Sequence, residues 1–205
     1  GCLNVAIGNL ALGAGVTTAS NNIAIGTTAA DALTTGHNNI ALGIDALGGA
    51  TTGCRNIALG HTAMGAAEVI GIHNIAIGQS TMQALTNGDY NIALGSNSGD
   101  ALTSGNNNVA LGKDSLGAAT IASCNVAIGA CAMSGVTTNH SHLNIAIGAS
   151  AMAGNANSEA EQNIAIGRYA MDAITTGACN VALGTNALGA STTGCLNVAI
   201  GEQAL

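Results

Sequence analysis

The chain has no Phe, no Trp and no Pro, and its only aromatic residues are Tyr90 and Tyr169. A conventional core built on large rings is therefore excluded. Charge is scarce as well: 3 basic and 10 acidic residues leave 6% of the 205 residues charged, against roughly 25% in an ordinary globular domain. The formal net charge of -7 argues against nucleic acid, whose phosphates need a basic surface. No apolar run approaches the ~20 residues of a spanning helix, because Asn, Gly or Thr interrupts every few positions. Six cysteines in a chain this long do not make a disulfide framework. Yet 48% of the residues are hydrophobic, so the composition of a disordered chain is missing too. What is left must bury Ala, Ile, Leu and Val through many short, close contacts.

What is there is one phrase, written twelve times. Asn-[Ile/Val]-Ala-[Ile/Leu]-Gly opens at Asn4, Asn22, Asn39, Asn56, Asn74, Asn91, Asn108, Asn125, Asn144, Asn163, Asn180 and Asn197, at spacings of 17 to 19 residues. With the asparagine as position zero, position seven is Ala, Ser or Thr, and position eight is Leu or Met in ten copies. Thr-Thr-Gly, or a degraded form of it, lies near positions twelve to fourteen. A period this short excludes tetratricopeptide, ankyrin and propeller repeats and suits one coil of a solenoid. Residues 1–205 are accordingly read as a single all-β rod, a parallel β-solenoid or β-roll of about 12 coils. Two strands or short extended pieces per coil are expected, with three sides the alternative.

Period-two alternation puts positions one and three on one side of the phrase and Asn, Ala and Gly on the other. The larger aliphatic residues are expected inside, as Ile40 with Leu42 or Val181 with Leu183. Position eight adds a second inward column, including Leu47, Met64, Met133 and Leu188. One coil buries too little to offset its own ordering, so neighbouring coils must supply hydrogen bonds and packing. At ~4.8 Å per rung, twelve rungs make a rod roughly 55 Å long. The invariant asparagine is expected to form a buried ladder, since stacked amides hydrogen-bond up and down a column. The invariant Ala, placed outward, is expected to form a flat face that something else covers, either a second chain or another part of the same coil.

The coils opening at Asn56, Asn125 and Asn144 are longer. Their stretches "EVIGIH" (68–73), "NHSHL" (139–143) and "NSEAEQ" (157–162) should bulge from one edge, where a binding function would most easily reside. Both ends fall mid-coil, so uncapped ends are expected, with continuation in a longer chain or end-to-end stacking into a filament.

Residues that carry chemistry are few. Cys2, Cys54 and Cys195 share position fifteen, and Cys124 and Cys179 position sixteen. Cys179 and Cys195 lie in consecutive coils and are candidates for a disulfide. Their competing reading is a small buried hydrophobe. His140 and His142 alternate onto one side, yet no third ligand stands at a recognisable spacing. No metal or other cofactor is expected. No nucleophile, base and orienting group share columns, so no catalytic residue is assigned and enzyme activity is not expected. Asn139 opens an N-glycosylation sequon with His140 and Ser141, and the Thr pairs offer hydroxyls.

The phrase, with the Ala-Leu that follows it, resembles the head repeats of trimeric autotransporter adhesins and the repeat regions of phage and virus tail-fibre proteins. That resemblance covers essentially the whole chain and implies a parallel β-roll assembled from several chains. The function expected is a structural, self-assembling fibre segment that gives mechanical reach outside a cell or on a cell or virion surface. The alternative is an adhesin or receptor-binding region that engages cell-surface glycans through the bulged loops. The partners expected are copies of the chain itself, as a homo-oligomer such as a trimer or as a filament, with neither nucleic acid nor membrane insertion.

Overall fold

The computed structural model describes residues 1–13, 18–65, 68–136, 141–154 and 160–205. Each phrase forms one three-residue strand: β1 (Val5–Ile7), β2 (Ile23–Ile25), β3 (Ile40–Leu42), β4 (Ile57–Leu59), β5 (Ile75–Ile77) and β6 (Ile92–Leu94) in the first half. The second half carries β7 (Val109–Leu111), β8 (Val126–Ile128), β9 (Ile145–Ile147), β10 (Ile164–Ile166), β11 (Val181–Leu183) and β12 (Val198–Ile200). They pair in chain order as one 12-stranded parallel sheet. The register sets like on like, Ile40 on Ile57, Ala41 on Ala58 and Leu42 on Leu59. The protein is a tandem-repeat β-solenoid of about eleven turns, with no helix among the described residues.

Of the two strands or short extended pieces expected per coil, each coil holds one strand. The rest of the coil is turn, with isolated parallel bridges at Ser20–His37, Cys54–Ile72 and Ser123–His142. The reason is local. Three residues per coil adopt a left-handed backbone: the one before the asparagine, such as Leu143 (φ 60°), the one at position six, such as Asp114 (φ 55°), and the one at position eight, such as Leu116 (φ 52°). Such corners leave no room for a second extended run. They cost an L-residue roughly 1–2 kcal/mol each, and the stack holds them by hydrogen bonds between coils. Asp114 N–H donates to Ser96 O, Leu116 N–H to Ala132 O and Leu143 N–H to Ser123 O. At the exposed corner of Leu143 the strain is not repaid by burial. Leu143→Gly is expected to raise stability by ~0.5–1 kcal/mol, and Leu143→Val to lower it by a similar amount, read by thermal unfolding.

The interior corrects the expected orientation of the strands. Ala41, Ala58, Ala76 and Ala127 are fully buried, while the flanking Ile and Leu of the same strands are only half-buried or exposed. Ala points in, and positions one and three point out. The physical reason is the width of the roll. At Gly99, the position-eight residue of its coil, an added Cβ would sit 4.0 Å from Ala93 Cβ and 3.4 Å from Met82 Cγ. Opposite a Leu or Met at position eight there is space for one methyl group and no more. Of the two covers expected for the alanines, it is other columns of the same coil and not a second chain that bury them, and they face inward rather than outward.

Behind the strands stand the small residues of position seven, the Leu and Met of position eight and a further column three residues on. All five methionines, Met64, Met82, Met133, Met152 and Met171, occupy position eight and are buried. In four coils the two inner columns compensate in volume: Ala30 is followed by Leu33 and Gly99 by Leu102, whereas Leu47 is followed by Ala50 and Leu116 by Ala119, all buried. In others both are large, as Met82 with Leu85 and Met171 with Ile174. Where position seven is hydroxylated the group is paired: Thr81 Oγ1 donates to Gly95 O at 2.7 Å, and Ser98 and Ser115 hydroxyls lie 2.9 Å apart.

Candidate functional site

The asparagine column is a continuous ladder. Asn108 shows the unit. Its backbone N–H and Nδ2 both donate to Asn91 Oδ1 at 3.0 Å. Nδ2 also donates to Ala122 O at 2.7 Å. Its own Oδ1 accepts from Asn125 N at 3.1 Å and Asn125 Nδ2 at 3.2 Å. The carbonyl at Ala122 stands three residues before the next asparagine. Longer coils keep that rule: Asn56 reaches Gly71 O, Asn125 reaches Ser141 O and Asn144 reaches Ala160 O, each at 2.8 Å. Extra residues thus enter between position eight and that carbonyl, and the closure of the coil is untouched. The asparagines from Asn22 to Asn180 are buried, and Asn4 and Asn197 at the two end coils are half-buried.

A second, interrupted ladder runs beside it, in the column two residues before the asparagines, and was not anticipated. There the side chain of one coil accepts the backbone N–H of the coil before: Asp89 Oδ1 from Ile72 N at 2.7 Å, Asn106 Oδ1 from Asp89 N at 2.7 Å and Ser123 Oγ from Asn106 N at 3.0 Å. His142 Nδ1 takes Ser123 N at 3.0 Å, and Cys195 Sγ takes Ala178 N at 3.4 Å. The residue types differ and share only an acceptor atom, so no motif announces them.

A third ladder engages the first Thr of the Thr-Thr-Gly turn. Thr34, Thr86, Thr103 and Thr175 hydroxyls donate to the corresponding carbonyl of the next coil at 2.9–3.0 Å. The second Thr, as at Thr35 and Thr176, is exposed.

The cysteines are all free, so the candidate pair Cys179 and Cys195 is not bonded, and both are exposed rather than the buried hydrophobes of the competing reading. The two occupy adjacent columns whose side chains turn apart. Cys179 Sγ donates to Gln162 Oε1 at 3.2 Å, whereas Cys195 Sγ faces Ala178 N. Asn139 and His140 lie outside the described residues, and so do residues 157–159 of the stretch 157–162 that was expected to bulge. In 68–73 the structure shows a packed segment instead: Val69 is buried in the core and Glu68 accepts the Thr51 hydroxyl at 2.9 Å. Among the described residues no cluster of three metal-ligating side chains and no pocket occurs. Burial pushes the Asp100 carboxyl above its usual range, helped by the charge of Asp114, and burial does the same to Asp172. The sign follows: a folded state that holds protons more tightly gains stability as pH falls through that raised range.

The largest unsatisfied feature is the outer face of the sheet. Position one is Ile or Val and position three Ile or Leu in all twelve strands. In the middle of the rod these positions are half-buried, as in β5 and β7, and most open at Ile92, 38% exposed, and Leu94, 44% exposed. Two unbroken aliphatic columns therefore run the length of the solenoid on one flat side, while the corners beside them carry residues such as Asp114, Lys113, Asn107 and Gln79. No described helix is long and apolar enough to cross a membrane. Compared with known proteins, the chain matches no family model, no curated protein and no solved structure.

Proposed function

We propose that the chain is a structural fibre segment that associates side by side with copies of itself through the Ile/Val and Ile/Leu columns, outside a cell or on a cell or virion surface. One observation carries this reading: the apolar stripe is contiguous over all twelve rungs. Single exposed aliphatics are ordinary, but contiguous apolar patches of several hundred square ångströms mark interaction sites. Eleven rung spacings of ~4.8 Å and a width of roughly 11 Å give a footprint on the order of 600 Å² per copy, near the ~800 Å² per partner of a standard interface. A second copy suits the stripe best, because it offers the same rung spacing and lets branched side chains interdigitate in register.

The test is charge on the stripe. The double substitution Ile92→Glu and Val109→Glu is expected to convert an oligomer into monomers in light scattering, with the far-ultraviolet circular dichroism of the rod unchanged. A parent chain that is already monomeric at tens of micromolar would overturn the proposal.

A further inference from the structure

We propose that Cys54 is a thiol activated by His37 and is a site of covalent modification by small anionic disulfides. Both residues occupy the column two before the asparagine, in consecutive coils, so the stack sets one directly above the other. Cys54 Sγ lies 3.2 Å from His37 Nδ1. The single S–H proton has two acceptors in reach, His37 Nδ1 and, at 3.3 Å, Thr52 O of its own coil. Among the described residues no other cysteine has an imidazole partner: Cys179 meets an amide oxygen, and Cys195 meets a backbone N–H and Thr193 O.

The surroundings favour an anionic reagent. In a chain with three basic residues, Arg55 immediately follows Cys54, and its corner is exposed. An imidazole nitrogen within hydrogen-bond reach can take the thiol proton as the sulfur attacks. In the step, the thiol proton passes to His37 Nδ1 and the Cys54 sulfur attacks one sulfur of the disulfide. A new S–S bond forms, the original one breaks, and the second half departs as a thiolate. The product is a mixed disulfide on Cys54, with no external oxidant beyond the disulfide itself.

The probe is 5,5′-dithiobis(2-nitrobenzoate), an anionic aromatic disulfide whose released thiolate is coloured. Two chains are compared, one keeping only Cys54 and one keeping only the exposed Cys124, the other cysteines being replaced by Ser. Cys54 is expected to react roughly ten-fold faster or more at neutral pH. This comparison needs no change at His37. His37→Asn in the Cys54 chain is then expected to bring the rate down to about that of Cys124. Asn106 fills the equivalent place three rungs away from Cys54, so the substitution is compatible with the coil. Equal rates for the two thiols would overturn the proposal, and so would a His37→Asn chain that reacts as fast as its parent or faster.

Discussion

Asn108→Ala is expected to cost the rod roughly 3–5 kcal/mol, seen as a lower midpoint in denaturant and as rapid amide exchange confined to the neighbouring rungs. The substitution removes four hydrogen bonds at once: those from Nδ2 to Asn91 Oδ1 and Ala122 O, and those received from Asn125 N and Nδ2. Two of the groups left behind, the Asn125 N–H and the Ala122 carbonyl, lie in buried surroundings without a replacement partner. Each orphan of that kind costs about 1–3 kcal/mol, more than the net worth of a satisfied bond. Asn108→Asp tests the same point with the shape preserved. An Asp carboxylate can still accept from Asn125, but it faces Asn91 Oδ1 and Ala122 O with no donor and brings a charge into a buried column. It is expected to be at least as damaging as Ala. A Asn108→Asp chain as stable as the parent would show that packing, and not the amide, holds the column.

Gly95→Ala is expected to be of similar severity, roughly 3–5 kcal/mol, for a steric reason alone. Gly95 ends its strand at φ 131°, outside the left-handed well that the neighbouring corners use, and every other phrase-ending glycine lies between 122° and 138°. A Cβ there would stand 2.6 Å from both the carbonyl carbon and oxygen of Gly112 in the next coil. The obstacle is backbone, so it gives way only by spreading two rungs. At Gly99, by contrast, φ is 59° and the nearest atoms to an added Cβ are flexible side chains at 3.4 Å or more. Most other coils place Leu or Met there. Gly99→Ala is therefore expected to leave the midpoint nearly unchanged, and thermal unfolding of the two variants side by side separates a general loss of glycine from the particular clash.

Much of this fold is legible in the sequence. The period fixes the parallel stacking, and the invariant letters fix which residues share columns. The asparagine at zero and the alanine at two have the same parity, so a buried amide ladder entails buried alanines and outward Ile and Leu. Hydropathy alone argues the other way, because Ile40 and Leu42 are larger and more apolar than Ala41. The roll decides between them: three left-handed corners per coil draw it so tight that Ala is what fits opposite position eight. Those corners are themselves hard to read, since Leu, Met, Cys and Tyr stand where Gly or Asn would be expected. The second side-chain ladder is illegible for another reason, as Asp89, Asn106, Ser123 and His142 have an acceptor in common and nothing else. The Cys54–His37 contact, by contrast, was available from column arithmetic, because the two residues are one period apart.

The tight roll and its outer aliphatic stripe both depend on the inward and outward sense of the strands, and a crystallographic or electron cryomicroscopy map of the central coils tests that sense most directly. The expected density places Ala93 against the Met82 and Leu102 side chains, Ile92 and Leu94 on the outer face, and Asn91 Oδ1 within about 3 Å of Asn108 N. Density with Ile92 and Leu94 packed inside the roll, or with the asparagines out of line from one rung to the next, would contradict it.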